Sequence, residues 1–147
     1  MEFFWNMNQG ETDFKVEEGY DLAGQVIGLA MKVHRTLGPG FLESVYHNAL
    51  CIELERAAME FETEKSFEVK YEKTVVGEFK ADLVVGLDLI IEIKAVNNLA
   101  VAHEVQLVNF LVATEIDEGL LINFGAPSLE FKKKFRVYRK PVGPVPF

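Results

Sequence analysis

Two short stretches of this chain are too apolar to have a wet face. Residues 119–125, GLLINFG, form one apolar run of strand length, and residues 89–96, LIIEIKAV, form another, interrupted only by Glu92 and Lys94. Strands of this kind lie inside a sheet that is covered by other elements, which in one small domain means helices packed on strands. The rest of the pattern supplies them. From Tyr20 to Leu37 the apolar residues Leu22, Val26, Leu29, Ala30, Val33 and Leu37 recur at helical spacing. Gly38-Pro39-Gly40 ends that helix. A second helix is predicted from about Phe41 to Met59, with Leu42, Val45, Ala49, Leu50 and Leu54 facing inward. The period then changes to two: 66–72 and 77–85 alternate like strands, and 89–96 follows across Gly86-Leu87-Asp88. Residues 100–114 return to helical spacing through Val101, Val105, Val108 and Leu111 or Val112, and 129–139 alternate again. The order is ααβββαββ, an α/β domain with a central mixed sheet flanked by helices. Residues 1–19 read as an N-terminal arm, on which Phe3, Phe4 and Trp5 are free to dock on the body or a partner. Residues 20–140 read as a single domain, and 141–147 as a Pro-rich tail.

The whole-chain properties narrow the class. The chain has 147 residues, enough for one core, and an ordinary 49% of hydrophobic residues. No apolar run is long enough to span a bilayer, and the start is aromatic and then acidic rather than basic and then apolar. A single cysteine, Cys51, allows no internal disulfide. A cytoplasmic protein with no membrane partner is the expectation. Net charge is −8, which argues against nucleic-acid binding by bulk charge. The charge is uneven, however. FKKKFRVYRK, 131–140, carries six basic residues and no acid, leaving the rest of the chain nine basic residues against 23 acidic. Lys132, Lys133, Lys134 and Arg136 are therefore candidates for phosphate contacts. A solvated edge strand kept soluble by lysines explains the same run.

Glu92 and Lys94 need a reason, because a charge set into a buried strand is costly unless it is paired or bound. Two residues apart on a strand, they share a face. A three-residue turn at 86–88 pairs Val85 with Leu89, which sets Asp82 opposite Glu92 and Lys80 opposite Lys94. This register also keeps Phe79, Ala81, Leu83 and Val85 together on one core face. Two carboxylates about 5 Å apart then repel. A hard divalent cation relieves that repulsion, with Asp82 and Glu92 as its ligands and Lys94 beside an attacking water. An ion-pair network Asp82–Lys94–Glu92 that only ties the hairpin together fits the same residues.

Two further stretches bear on that choice. GPGFLESVYHNAL, 38–50, contains Gly40-x-x-Glu43-x-x-Tyr46, and HEVQLVNFLVAT, 103–114, is followed by GLLINFGAP, 119–127. Together they resemble the GxxExxY protein family, a branch of the PD-(D/E)XK nuclease superfamily, over roughly residues 20–136. The resemblance implies a restriction-endonuclease-like fold and a metal-dependent nuclease acting on phosphodiester bonds, in DNA ahead of RNA. It implies that Asp82 and Glu92 bind Mg²⁺ (or Mn²⁺), with the Ile93 carbonyl and Glu43 as further ligands. It also implies that Lys94 assists the water and that Gln106 positions the phosphate or the lysine. Ala81 stands where the superfamily's name has proline, and Phe110 where RecB-like members have tyrosine. A non-catalytic module on the same scaffold, binding nucleic acid or a protein, and a homodimer through a sheet edge are the other expectations.

Several of these residues also have plain structural explanations. Gly40 as N-cap with Glu43 at the third helical position is a capping arrangement. Tyr46 supports Glu43 by a hydrogen bond or by packing. His34, His47 and His103 are too scattered for a zinc site. His47, four residues on from Glu43, is placed to share its face. The resemblance makes His34 and His103 candidates to line the cleft, and satisfied histidines on helix faces explain them as well. Gln106 on an apolar stripe needs a partner, which the acid–lysine cluster would supply.

Overall fold

A computed structural model describes residues 21–136. The N-terminal arm, with Phe3, Phe4 and Trp5, and the Pro-rich tail lie outside the described residues. The elements are α1 (Leu22–Leu37), α2 (Glu43–Arg56), β1 (Phe61–Tyr71), β2 (Thr74–Val85), β3 (Leu89–Lys94), α3 (Val101–Thr114), β4 (Glu118–Asn123) and β5 (Glu130–Phe135), in the expected order. The five strands form one sheet in sequence order. All neighbours are antiparallel except β3 and β4, which run parallel with α3 as the crossover between them. No helix among the described residues is long and apolar enough to cross a membrane.

The two helical layers cover opposite faces. The α1 N-cap Asp21 accepts a hydrogen bond from the Gly24 N–H at 3.1 Å, and the helix stops where Gly38 takes φ 70. Ala23, Val26, Ala30 and Val33 of α1 and Tyr46, Leu50 and Leu54 of α2 bury against Leu83, Val85, Leu89, Ile91, Ile93, Leu120, Ile122 and Phe124. On the other face, Leu107 and Leu111 of α3 pack on Ala81, Val84, Ile90 and Leu121. β3 and β4 are thus apolar on both faces because both faces are covered.

The inward stripes of two helices differ from expectation. In α3, Val101, Val105 and Val112 are 74%, 53% and 58% exposed, while Leu107 and Leu111 are buried. Nine of the fourteen α3 residues are apolar and they spread around the helix, so periodicity offered two stripes, and the leucine side, with more area to bury, faces the sheet. In α2 the buried positions are Tyr46, Leu50 and Leu54, and the helix starts at Glu43 after an N-cap Leu42 that is 76% exposed. Gly40 is therefore not the N-cap, and Glu43 occupies the first helical position rather than the third.

The strand hairpins bear directly on the site. The turn at 86–88 gives the predicted register, Val85↔Leu89, Val84↔Ile90 and Leu83↔Ile91. The expectation that Phe79, Ala81, Leu83 and Val85 share one core face is corrected. Leu83 and Val85 face α1 and α2, whereas Ala81 and Phe79 belong to the α3 side. The β1–β2 hairpin rolls over between the rungs Thr63↔Leu83 and Lys65↔Ala81, where Glu64 adopts a left-handed φ of 54. Past this point β2 has β1 as its paired neighbour and has parted from β3. Lys80 pairs with Ser66 instead of standing opposite Lys94.

Candidate active site

The site lies where β2 and β3 separate. Beyond the Leu83↔Ile91 rung, side chains replace the backbone ladder. The Ile93 N–H donates to Asp82 Oδ2 at 2.7 Å, and the Asp82 N–H donates to Glu92 Oε2 at 3.2 Å. The two carboxylates therefore cross between the strands, opposite each other as the register required. One oxygen of each is held by a backbone donor, and the other, Asp82 Oδ1 or Glu92 Oε1, has no hydrogen bond among the described residues.

Their environment is unfavourable to two negative charges. Burial raises the Asp82 carboxyl above its ordinary value, and the charge on Glu64 adds to this. The Ile93 N–H, His47 and Lys94 pull the other way. Burial, followed by the Asp82 charge and, more weakly, Glu43, pushes Glu92 up to about 8 against the Asp82 N–H and Lys94. Lys94 is half-buried and close enough for its charge to act on both acids. It makes no ion pair with either among the described residues. The hairpin-tying network Asp82–Lys94–Glu92 is not what this structure holds.

Glu43 stands exposed at the start of α2, at the rim, and its charge reaches Glu92. No group of three or more His, Cys, Asp or Glu side chains among the described residues is placed to hold a metal ion, so Glu43 does not close on the carboxylate pair. Gln106 is exposed on α3 and makes no bond to Asp82, Glu92 or Lys94 among the described residues. The partner expected for it is missing. Its neighbour one turn on, Phe110, stacks on Phe79 with centroids 3.7 Å apart.

The GxxExxY residues have clear local roles. The Tyr46 hydroxyl donates to the Gly38 carbonyl at 2.5 Å and accepts from the Phe41 N–H at 3.1 Å. Its ring stacks on Phe124 at 4.7 Å. Tyr46 thus braces the turn that delivers Glu43, rather than bonding Glu43 itself. Gly40 is required there, because its φ is 115.

Two contributors were not among the expected site residues. His47 Nε2–H donates to the Asp82 carbonyl at 3.1 Å and lies 3.8 Å from Glu64 Oε2. Its spacing of four from Glu43 was the available signal. Nothing in the sequence marks Glu64. The remaining histidines are satisfied structurally: His34 Nε2–H donates to the Ala126 carbonyl at 2.9 Å, and His103 Nδ1 accepts from the Ala100 N–H at 3.0 Å. Burial, with help from Glu55, raises the half-buried Cys51 thiol, which disfavours the thiolate.

The basic strip on β5 is largely engaged. Lys133 lies 3.8 Å from both Asp21 and Glu118, Lys134 pairs with Glu104 at 2.6 Å, and Arg136 pairs with Asp117 at 2.8 Å. Lys132 makes no ion pair among the described residues.

A family model described as the PD-(D/E)XK nuclease superfamily matches residues 20–136. The chain belongs to that superfamily. Its mixed sheet with flanking helices is the restriction-endonuclease-like fold. The sequence matches none of the curated proteins. Among solved structures, the crystal structure of SSO0001 is similar, with a TM-score of 0.53 and 19% identity over 66% of this chain and 52% of that one. At that identity the likeness concerns the fold, and the PD-(D/E)XK domain spans about half of SSO0001's length.

Proposed function

We propose that this protein is a divalent-metal-dependent nuclease that hydrolyses phosphodiester bonds, with DNA as its foremost substrate, and that it falls in the GxxExxY branch of its superfamily. The observation that carries the reading is the crossed pair. Asp82 and Glu92 each have one oxygen held by the opposite strand and, among the described residues, one free, with Lys94 alongside and in no ion pair with them. The donor set suits the ion. Mg²⁺ takes hard oxygens, keeps several waters, and is commonly bound by one or two carboxylates plus a substrate phosphate. Asp82 and Glu92 would hold it, with the Ile93 carbonyl as a further oxygen donor and Glu43 at the rim, able to reach it only through a metal-bound water. The bound Mg²⁺ or Mn²⁺ would polarise the phosphate and acidify an attacking water.

The chain's own residues do the rest. The Ile93 and Asp82 N–H groups fix the two carboxylates so that little reorganisation is needed when a cation arrives. The Lys94 ammonium, held by neither acid, is free to orient the water and offset charge building on the phosphate. Gln106, exposed on α3, is available to a phosphate oxygen. His47 holds the Asp82 backbone through its carbonyl. The test is cleavage of labelled single- and double-stranded DNA and RNA with Mg²⁺ or Mn²⁺. Asp82→Ala and Lys94→Ala are each expected to lose at least ~100-fold in rate while keeping the wild-type circular dichroism. Undiminished cleavage by either folded variant overturns the assignment.

One observation favours a second reading, a binding module without catalysis. No third acid joins Asp82 and Glu92 among the described residues. Nucleic-acid affinity that survives chelation and Asp82→Ala, in a protein that cleaves nothing, would select it.

A further inference from the structure

Asn123 is the one buried polar side chain in strand β4, and it is fully buried. It stands on the rung opposite Lys94, the last residue of β3. There the chain leaves the sheet and runs through 95–100 into α3. The Phe124 N–H donates to the Lys94 carbonyl at 2.9 Å, and backbone pairing then stops. The Asn123 side chain continues it. Its Oδ1 accepts from the Val96 N–H at 2.9 Å, and its Nδ2 donates to the Val96 carbonyl at 2.8 Å. An amide that bonds both groups of one residue does the work of a strand neighbour's peptide. Oδ1 also accepts from the Gly125 N–H at 3.0 Å, and Nδ2 also donates to Glu130 Oε1 at 2.9 Å, so both its donors and its acceptor are used.

Two neighbours complete the grip. Glu130 Oε1 also accepts from the Leu99 N–H at 3.2 Å, so the Asn123–Glu130 pair holds both ends of the 96–99 segment. Gly125 lies so close that an added Cβ would sit 2.4 Å from the Val96 carbonyl oxygen, which excludes any side chain there. The segment that follows Lys94 is therefore fixed from the neighbouring strand by side chains and not by ladder bonds.

We propose that Asn123, with Glu130, is a positioning pair for the reaction: by locking Val96 and Leu99 it sets the Lys94 ammonium against the Asp82–Glu92 pair and sets the angle at which α3 enters. The proposal rests on the nuclease reading above. It adds the claim that the rate, and not substrate binding, depends on an amide that touches no substrate.

Asn123→Asp is the informative change. It keeps the shape and the two bonds accepted by Oδ1, removes both donors, and faces a carboxylate toward the Val96 carbonyl and Glu130. Two readouts are taken on the full chain. The first, amide hydrogen exchange in the metal-free protein, needs no activity. Val96 and Leu99 are expected to exchange at least ~10-fold faster, with β1 and β2 unchanged. The second is steady-state cleavage of a labelled oligonucleotide with Mg²⁺. There kcat is expected to fall about 10- to 100-fold, as for residues that orient a site from behind, with KM within about threefold. Asn123→Asp/Glu130→Gln, which returns a donor between the two side chains, is expected to recover part of the lost kcat. Unchanged exchange at Val96 and Leu99 overturns the proposal whatever the enzyme does. Faster exchange with wild-type kcat, or a loss confined to KM, overturns it as well and leaves the nuclease assignment standing. A wild-type protein that cleaves no nucleic acid removes the assignment first, and this proposal with it.

Discussion

Glu92 holds its proton up to about pH 8 because burial and the adjacent Asp82 charge both oppose ionisation. The consequence for stability has a definite sign. In the unfolded chain the group titrates near 4.5, so between 4.5 and about 8 the folded state binds the extra proton. The stabilisation is therefore complete below the unfolded value and is lost as pH rises through the folded one. The metal-free protein should lose on the order of 4 kcal/mol across that window from this group alone. Glu92→Gln should flatten the dependence and melt higher than wild type at pH 8. Thermal melts in chelator from pH 5 to 8.5 check this, and a wild-type curve parallel to that of Glu92→Gln would contradict it. The same proton gives metal binding a signature. Calorimetric titration with Mn²⁺ at pH 7 in buffers of different ionisation enthalpy should report release of close to one proton in the wild type. No heat of binding is expected in Asp82→Ala/Glu92→Ala.

Among the elements, the turn before α2 depends most on one atom. The Tyr46 hydroxyl is the partner of both the Gly38 carbonyl and the Phe41 N–H. Tyr46→Phe keeps the stacking on Phe124 and strands two backbone groups, at a cost of ~1–3 kcal/mol measurable by urea unfolding. A loss below ~0.5 kcal/mol would mean that water replaces the phenol. The motif that contains Tyr46 was legible in the sequence, but its task was not, since three-residue spacing suggested a link to Glu43 and a backbone partner leaves no trace in spacing. The α/β order was legible because β3 and β4 are apolar runs of strand length and α1 has an unambiguous helical period. β1 was only half legible: after Phe61 its next residues, ETEK, are polar and mostly exposed on an edge strand and so show no apolar alternation. The Asp82–Glu92 register followed from the length of the 86–88 turn. The roll of the hairpin beside it did not, because it rests on a left-handed Glu64 that no residue preference announces. Asn123 escaped notice because one amide in an apolar run reads as noise until its four hydrogen bonds are seen.

For the molecule as a whole, electrostatics limits how nucleic acid can be gripped. The net charge is −8, and Lys133, Lys134 and Arg136 already face acids. Few phosphates can then be neutralised by the described part of the strip, and the salt dependence of binding should be shallow. A plot of log K against log salt should have a slope no steeper than about −2 from this strand, and Lys132→Ala should flatten it by roughly 0.7–0.9. Anisotropy titrations of a labelled oligonucleotide over a range of NaCl concentrations check both values. A steep slope unaffected by Lys132→Ala would place the phosphate contacts elsewhere. The crossed carboxylates carry a different consequence, for inheritance. Each is at once a charge for chemistry and an acceptor that closes the gap between β2 and β3. Asparagine and glutamine supply the same acceptor oxygen without the charge. On the proposed nuclease reading, Asp82→Asn or Glu92→Gln would therefore silence the chemistry while leaving the hairpin's bonds in place, so a lineage built on it could shed catalysis in one step and keep a sound scaffold for another use.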